Sequence, residues 1–323
     1  MIISRTPLRI SLFGGGSDLP WFYECEQGAV VSLAITKYIY ISVNELFDSS
    51  DILLKYSNFE RVRIASDLNH RIVREMLSGR KMAGLDISVN SDIPAGTGMG
   101  SSSSFTVGLI NVIEAKLGNQ LGAPELASQG ANFEISNLKE PVGKQDHYAA
   151  AYGGLNKFEF MSNGDVDVKS YSLTEAEIDY LESCLLLVRV GSVRLASEIL
   201  GEMKANSGSD LLRESISQLA DIARSLNKDD LFEPEKLGKL LTQSWNIKKS
   251  THPQITNSEI EGQIRKGLLA GATGAKLLGA GSAGFILFVC PPKSRVLLAS
   301  IFEQSKVICP KMDNEGSVII YRE

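Results

Sequence analysis

The sequence predicts an α+β protein in two parts, and three observations predict it. Strand-like alternation and helix-like periodicity both recur along the chain. The 323 residues exceed one minimal core and fit one large domain or two ordinary ones. The character then changes near 162–178, where Ser162, Asn163, Gly164 and Asp165 form a turn signal and TEAE at 174–177 reads as a capping box opening a helix. The expected division is 1–172 and 173–323. Hydrophobic residues make up 43% and charged residues 22%, so a core is available without disulfides or metals.

In the first part, residues 2–3 and 8–13 read as short strands leading into three glycines, 14–16. Residues 30–35 and 38–43 are rich in β-branched and aromatic side chains, as half-buried strands are. Asp67 is placed to cap a helix running to Leu77, with Leu68, Ile72 and Met76 on one face and Gly79 as its stop. Leu85, Ile87 and Val89 alternate with polar residues, a strand pattern. A Gly/Ser loop follows, and then a helix with Phe105, Leu109, Ile113 and Leu117 spaced by four. The second part opens on a strand at 185–190. Helical stretches come next, near 194–204, 210–226, 234–249 and 257–270. Residues 275–278 and 285–290 read as strands around a second Gly-rich turn. A helix near 293–304 then leads to strands near 306–309 and 317–322. Strands interleaved with helices suggest an α+β sandwich.

Charge and composition narrow the partners. A net charge of −5 argues against nucleic acid and anionic membranes, which select for a positive face. Cys25, Cys184, Cys290 and Cys309 form no close pair, and three have the apolar or β-branched neighbours common around buried thiols, so a reduced, cytoplasmic protein is expected. His70, His147 and His252 are scattered and give no zinc spacing. Arg5, Arg9 and Asp18 interrupt the apolar N-terminus, which does not read as a signal peptide, and no apolar run is long enough to span a bilayer.

Chemistry concentrates in four segments. PAGTGMGSSSS at 94–104 lies between an expected strand and an expected helix. Gly96, Gly98 and Gly100 free its backbone so that amides can turn toward an anion, and the helix starting near Ser101 adds its orphan N–H groups and positive dipole end. No Gly-Lys-Ser/Thr ends the loop, so it is not a Walker A motif; a flexible Gly/Ser linker is the bland alternative. RTPLRISLFGGGSD at 5–18 sets Arg5, Arg9 and Asp18 around a triple glycine, and alone is equally two surface arginines and a turn. Glu134 precedes Asp146 of GKQDH, 143–147, by twelve residues. Phosphoryl transfer uses one group to hold metal and another to orient or deprotonate the attacking hydroxyl, although two acids so spaced are also ordinary surface groups. KLLGAGSAGF at 276–285 is, alone, more often a tight hairpin than a site.

Together, in order and spacing, these four segments resemble the motifs of the GHMP small-molecule kinases over essentially the whole chain. Within that superfamily, the stretches at 7–18, 91–96, 143–146, 256–257 and 271–281 resemble the D-glycero-D-manno-heptose 7-phosphate kinase group. The resemblance implies a two-domain GHMP kinase fold: an N-terminal domain like the second domain of ribosomal protein S5, and a ferredoxin-like C-terminal domain. It implies ATP and Mg²⁺ as cofactors, bound with the sugar in the cleft between the domains. Pro94, Gly96, Gly98, Gly100, Ser101, Ser102 and Ser103 would bind ATP, and Ser102 with Glu134 would hold Mg²⁺. Asp146 would be the catalytic carboxylate, Arg9 would sit beside the reacting hydroxyl, and Asp18, Gly15 and Gly16 would bind the sugar. Part of the adenine pocket would fall at 53–60.

Two positions depart from the family pattern. Ser282 and Ala283 stand where further glycines are usual, and His147 follows Asp146 where heptose kinases tend to have glutamine. The expected reaction is ATP-dependent phosphorylation of the anomeric hydroxyl of a heptose 7-phosphate. A kinase for another sugar, of fucose or galactose type, and a non-catalytic sugar- or nucleotide-binding regulator are the alternatives. Arg5, Lys144 and Arg194 are the candidates to read a substrate phosphate. The expected partners are ATP and a small sugar phosphate, with a homodimer left open.

Overall fold

The computed structural model describes residues 1–191 and 196–323. The chain begins with β1 (Ile2–Phe13), the one-turn α1 (Pro20–Tyr23), β2 (Gly28–Glu45), β3 (Ile52–Lys55), β4 (Phe59–Val62), α2 (Arg71–Arg80) and β5 (Leu85–Ser91). Next come α3 (Ser101–Lys116), α4 (Ala123–Asn132), a π-helical turn at Phe133–Asn137, α5 (Gln145–Tyr152) and the hairpin β6 (Leu155–Phe160) and β7 (Val166–Ser170). The remainder is α6 (Glu175–Ser183), β8 (Leu185–Val190), α7 (Ala196–Ala205), α8 (Asp210–Ser225), α9 (Pro234–Thr251), α10 (Ser258–Leu269), β9 (Gly274–Leu277), β10 (Gly284–Val289), α11 (Pro292–Ser300), β11 (Val307–Ile308) and β12 (Val318–Arg322).

These strands build two sheets. The first runs β12-β1-β2-β5-β3-β4, with β6 also paired to β2 and β7 to β6; the second runs β11-β8-β10-β9. All pairings are antiparallel except β3 with β5. Five strands were expected after residue 173, but β12 leaves that group and pairs with β1, Ile2 opposite Arg322. The capping box at Thr174 forms, with the Thr174 side chain accepting from Glu177 N.

The apparent breaks in the first two strands are one bulge. Pro7 pairs with Tyr38 and Leu8 with Ile35, so Thr36 and Lys37 are looped out opposite an uninterrupted β1. Proline donates no ladder hydrogen bond and is tolerated at such an irregularity. Beyond it, β1 alternates from Leu8 to Leu12, and a second register shift falls between Ser11 and Phe13. Leu8, Ile10 and Leu12 are fully buried in the core, while Arg9 and Ser11 point to the opposite face.

Asp67 does not cap α2. The Glu60 carboxylate accepts from Asn69 N at 2.6 Å and His70 N at 3.2 Å, which holds that backbone in a turn until Arg71. The helix then runs past Gly79 and closes at Lys81, which takes a left-handed φ of 52°. Its buried residues are Val73, Met76 and Leu77 rather than the Leu68–Ile72–Met76 face. Helix α3 is buried nearly all round, so its spacing of four marked only part of a central helix; Leu117, just beyond it, is exposed. The cysteines are free: Cys184 and Cys290 are buried, Cys25 and Cys309 exposed. Among the described residues no helix is long and apolar enough to cross a membrane.

Candidate active site

A cavity of about 920 Å³ is lined from both sheets, by Arg9 of β1 and by Lys276 of β9. Gly96, Gly98 and Gly100 each have φ near +75°, a left-handed conformation that costs glycine little and turns the chain sharply into α3. No side chain caps α3, and no acidic residue lies in its first turn. The amides around Ser101, Ser102 and Ser103 thus face the cavity as an anion site with the positive end of a 16-residue helix behind it. Pro94 lines the same wall. The loop is pressed against the second glycine turn: a Cβ on Gly279 would lie 2.3 Å from Gly98 Cα. Ser282 follows with a left-handed φ of 67°, steadied by N–H donation to Ile255 O at 2.9 Å and Oγ donation to Gln254 O at 2.6 Å. The missing glycine there leaves the Gly98–Gly279 contact intact.

Across the cavity Arg9 and Asp146 form one unit. Arg9 Nε and Nη2 each donate to an Asp146 carboxylate oxygen at 2.7 Å, and Nη1 donates to Gly98 O at 2.6 Å. Such a fork fixes both planes and directions, which a lysine cannot do. Arg9 is almost wholly buried, whereas Asp146, on the first turn of α5, keeps about a quarter of its side chain open to the cavity.

Asp18 is buried beside them. It accepts from Gly16 N (3.1 Å), Gln145 N (3.1 Å) and Gln145 Nε2 (3.0 Å). Asp18 also lines the cavity. Burial first, and the charge of Asp146 second, push the Asp18 carboxyl up to about 6. Gly143 makes the approach sterically possible, since a Cβ there would lie 1.9 Å from Asp18 Oδ2. Gly15 and Gly16 line the adjoining wall.

Glu134 projects from the π-helical turn, 1% exposed. It accepts from Ser102 Oγ at 3.3 Å, Ser103 Oγ at 3.5 Å and Thr106 Oγ1 at 2.5 Å. His147 Nε2 lies 3.4 Å away but is too poorly aligned to donate, so the two form an electrostatic contact. Burial acts to raise the Glu134 carboxyl, but His147 and the hydroxyl donors outweigh it and hold the group below its usual range. An ionised carboxylate next to a serine hydroxyl, at the mouth of a phosphate loop, is a hard oxygen donor set. It suits Mg²⁺, which typically takes one or two carboxylates and completes its shell from phosphates and water. Glu134→Gln preserves the volume and removes the charge, and is expected to raise the Mg²⁺ concentration for half-maximal activity at least about tenfold. Titrating Mg²⁺ at saturating nucleotide checks this; an unchanged midpoint would remove Glu134 from the metal site.

The loop residues from Pro94 to Ser103 expected to bind ATP, with Arg9, Gly15, Gly16, Asp18, Glu134 and Asp146, line this one cavity; of the stretch 53–60, Tyr56 and Ser57 do. The phosphate-reading candidates do not. Arg5 pairs with Glu315 and lies over the Tyr38 ring, Lys144 donates to Gly164 O and lies over Tyr23, and Arg194 falls outside the described residues. Sequence reasoning also missed several lining residues. Gln145 bridges Ser11 and Asp18, Lys248 enters from α9, and Lys276, quoted only within a glycine motif, is buried in the wall. Tyr56, from the stretch expected near adenine, packs edge-on to His70, which in turn stacks obliquely on Phe105 at 4.9 Å. No local pattern marks Lys248 or His70, since each acts only through the fold.

Comparison with known proteins agrees with this geometry. Residues 60–154 match the family model described as GHMP kinases N terminal domain. The D-glycero-alpha-D-manno-heptose 7-phosphate kinase of Campylobacter jejuni is 29% identical over 310 residues, covering 91% of each chain. The galactokinase of Pyrococcus furiosus is 24% identical over 319 residues, covering 88% of this chain and 87% of that one. A solved D-glycero-D-manno-heptose 1-phosphate kinase from Bacteroides thetaiotaomicron shares the fold, with a TM-score of 0.80 at 23% identity over 100% of both chains. The matched region contains the loop at 94–104, Glu134 and Asp146, and the similarity to kinases runs over most of the length: residues 60–154 carry a GHMP kinase N-terminal domain, and the chain as a whole is similar to ATP-dependent phosphotransferases of that family.

Proposed function

We propose that the chain transfers the γ-phosphate of ATP to the anomeric hydroxyl of D-glycero-D-manno-heptose 7-phosphate, giving the 1,7-bisphosphate. The observation that carries the reading is the Arg9–Asp146 fork, set in one cavity wall with the uncapped start of α3 and Asp18. A donor phosphate on the loop and a hydroxyl on Asp18 would then meet at Asp146. The similarity to the Campylobacter jejuni heptose kinase supports the choice of acceptor. The assignment of 1–172 as the nucleotide-holding part and 173–323 as its partner belongs to the same proposal.

In this scheme the loop amides hold the β- and γ-phosphates, and Asp146 orients and accepts the hydroxyl proton. An anomeric hydroxyl is more acidic than an ordinary alcohol, so a weak base in the right place suffices. Mg²⁺, with Ser102 and Glu134 as its protein ligands, would neutralise phosphate charge. Arg9 holds Asp146 in register and adds positive charge where negative charge shifts during transfer.

A coupled ADP-release assay with Mg²⁺ and a panel of free and phosphorylated hexoses and heptoses tests the assignment. Turnover confined to heptose 7-phosphate is the expected result. Turnover only on unphosphorylated sugars favours the second reading, a galactose- or fucose-type kinase. The engagement of Arg5 and Lys144 away from the cavity speaks for that reading.

Asp18 also sets a pH dependence. The ionised carboxylate accepts a sugar hydroxyl more strongly than the neutral acid, so kcat/KM for the acceptor should fall below pH 6 and level off above it. Asp18→Asn should lack that limb; an acid limb that survives the substitution assigns it elsewhere. The sign for stability is opposite. Because the folded value lies above the ordinary 3.8, the Asp18 contribution to stability is present below about pH 4 and is lost as pH rises through about 6.

A further inference from the structure

Two lysines in the cavity wall have no role in the scheme above. Lys276 of β9 is 4% exposed and donates to Leu12 O at 2.9 Å. Lys248 of α9 is exposed only in part, toward the cavity, and donates to the carbonyls of Gly279 and, at 3.4 Å, Leu277. Among the described residues neither pairs with a carboxylate. The charged groups facing them are each other and Arg9, and the charge of Arg9 is already matched by Asp146. Burial, with these like charges added, holds Lys276 well below the usual lysine range; burial and then Arg9 bring Lys248 down to about 8. Such a cluster is unfavourable until an anion joins it.

The anchors of these cations locate the anion. Lys248 is tied to Gly279 O and Arg9 to Gly98 O, and Gly279 and Gly98 are in contact. Arg9 also holds Asp146. The cations therefore flank the point where the phosphate loop, the second glycine turn and Asp146 meet. A group passing from a nucleotide on the loop to a hydroxyl at Asp146 crosses that point. A phosphate at the far end of a seven-carbon acceptor does not.

We propose that Lys248, backed by Lys276, binds the phosphoryl group that is being transferred. The proposal rests on the reading of 94–104 as the donor site. During transfer the bond from the γ-phosphorus to the β–γ bridging oxygen breaks, its electron pair leaving with ADP. The acceptor oxygen bonds to phosphorus, and its proton passes to Asp146. Lys248 keeps its proton and balances charge on the equatorial oxygens.

The test measures nucleotide binding first and acceptor binding second. Calorimetric titration of Mg·ATP and Mg·ADP into wild type, K248M and K248R should show K248M weakened about tenfold toward Mg·ATP and unchanged toward Mg·ADP, with K248R close to wild type. At pH 8, binding of Mg·ATP to wild type should take up protons, seen as a dependence of the heat on buffer ionisation, and K248M should lose that uptake. Equal weakening toward both nucleotides, or none, overturns the proposal. So does unchanged nucleotide binding with weakened heptose 7-phosphate binding, which would assign the lysines to the acceptor's own phosphate. Wild type that binds neither nucleotide overturns the donor-site reading on which the proposal stands, whereas a failed acceptor screen leaves it untouched.

Discussion

Asp146→Asn is expected to lower turnover about 10²- to 10⁴-fold while Mg·ATP affinity stays within about threefold of wild type. The side chain is nearly isosteric, so Arg9 can still reach one oxygen of the amide, and the loop amides are untouched. What disappears is the carboxylate proposed to accept the hydroxyl proton. Single-turnover measurement with nucleotide binding in parallel separates these terms. Full activity in the variant would exclude Asp146 from proton transfer.

The second large effect concerns Arg9. Three donors leave one guanidinium in fixed directions, two to Asp146 and one to Gly98 O. Lysine offers a single ammonium on a flexible stem and cannot serve both partners at once. Arg9→Lys should therefore reduce kcat about 10²- to 10³-fold, although the formal charge is conserved. Arg9→Met removes the charge as well and leaves the Asp146 carboxylate without its partner. Since the two side chains act as a unit, Arg9→Met with Asp146→Asn should cost little more than the worse single variant. Losses that multiply would show that the two residues act independently.

Legibility in the sequence followed the range of the interactions involved. The shape of the loop at 94–104 was legible because three left-handed glycines and an uncapped helix start are local features. The capping box at Thr174 was legible for the same reason. The start of α2 was not, because Glu60 holds the backbone of Asn69 and His70 from a neighbouring strand. The departure of β12 from the second group of strands, and the arrival of Lys248 in the cavity, depend on tertiary packing and leave no periodic trace. Glu134 and Asp146 read equally as ordinary surface acids, and the segment with Asp18 as surface arginines and a turn, until the resemblance set them beside the other motifs. Burial and three amide donors then distinguish Asp18 from a surface carboxylate.

The pairing of β1 with β12 has a kinetic consequence. β1 carries Arg9, yet part of its outer edge is covered by Val318–Arg322, from the far end of the fold in sequence. Contacts between segments so far apart close slowly, because the entropy of a very large loop is lost before they form. Until β12 docks, β1 presents unpaired amides and carbonyls, a template for a strand of any other chain. The same slow step that completes the frame around Arg9 also covers an open strand edge, so completion of the candidate site and protection of that edge coincide in time.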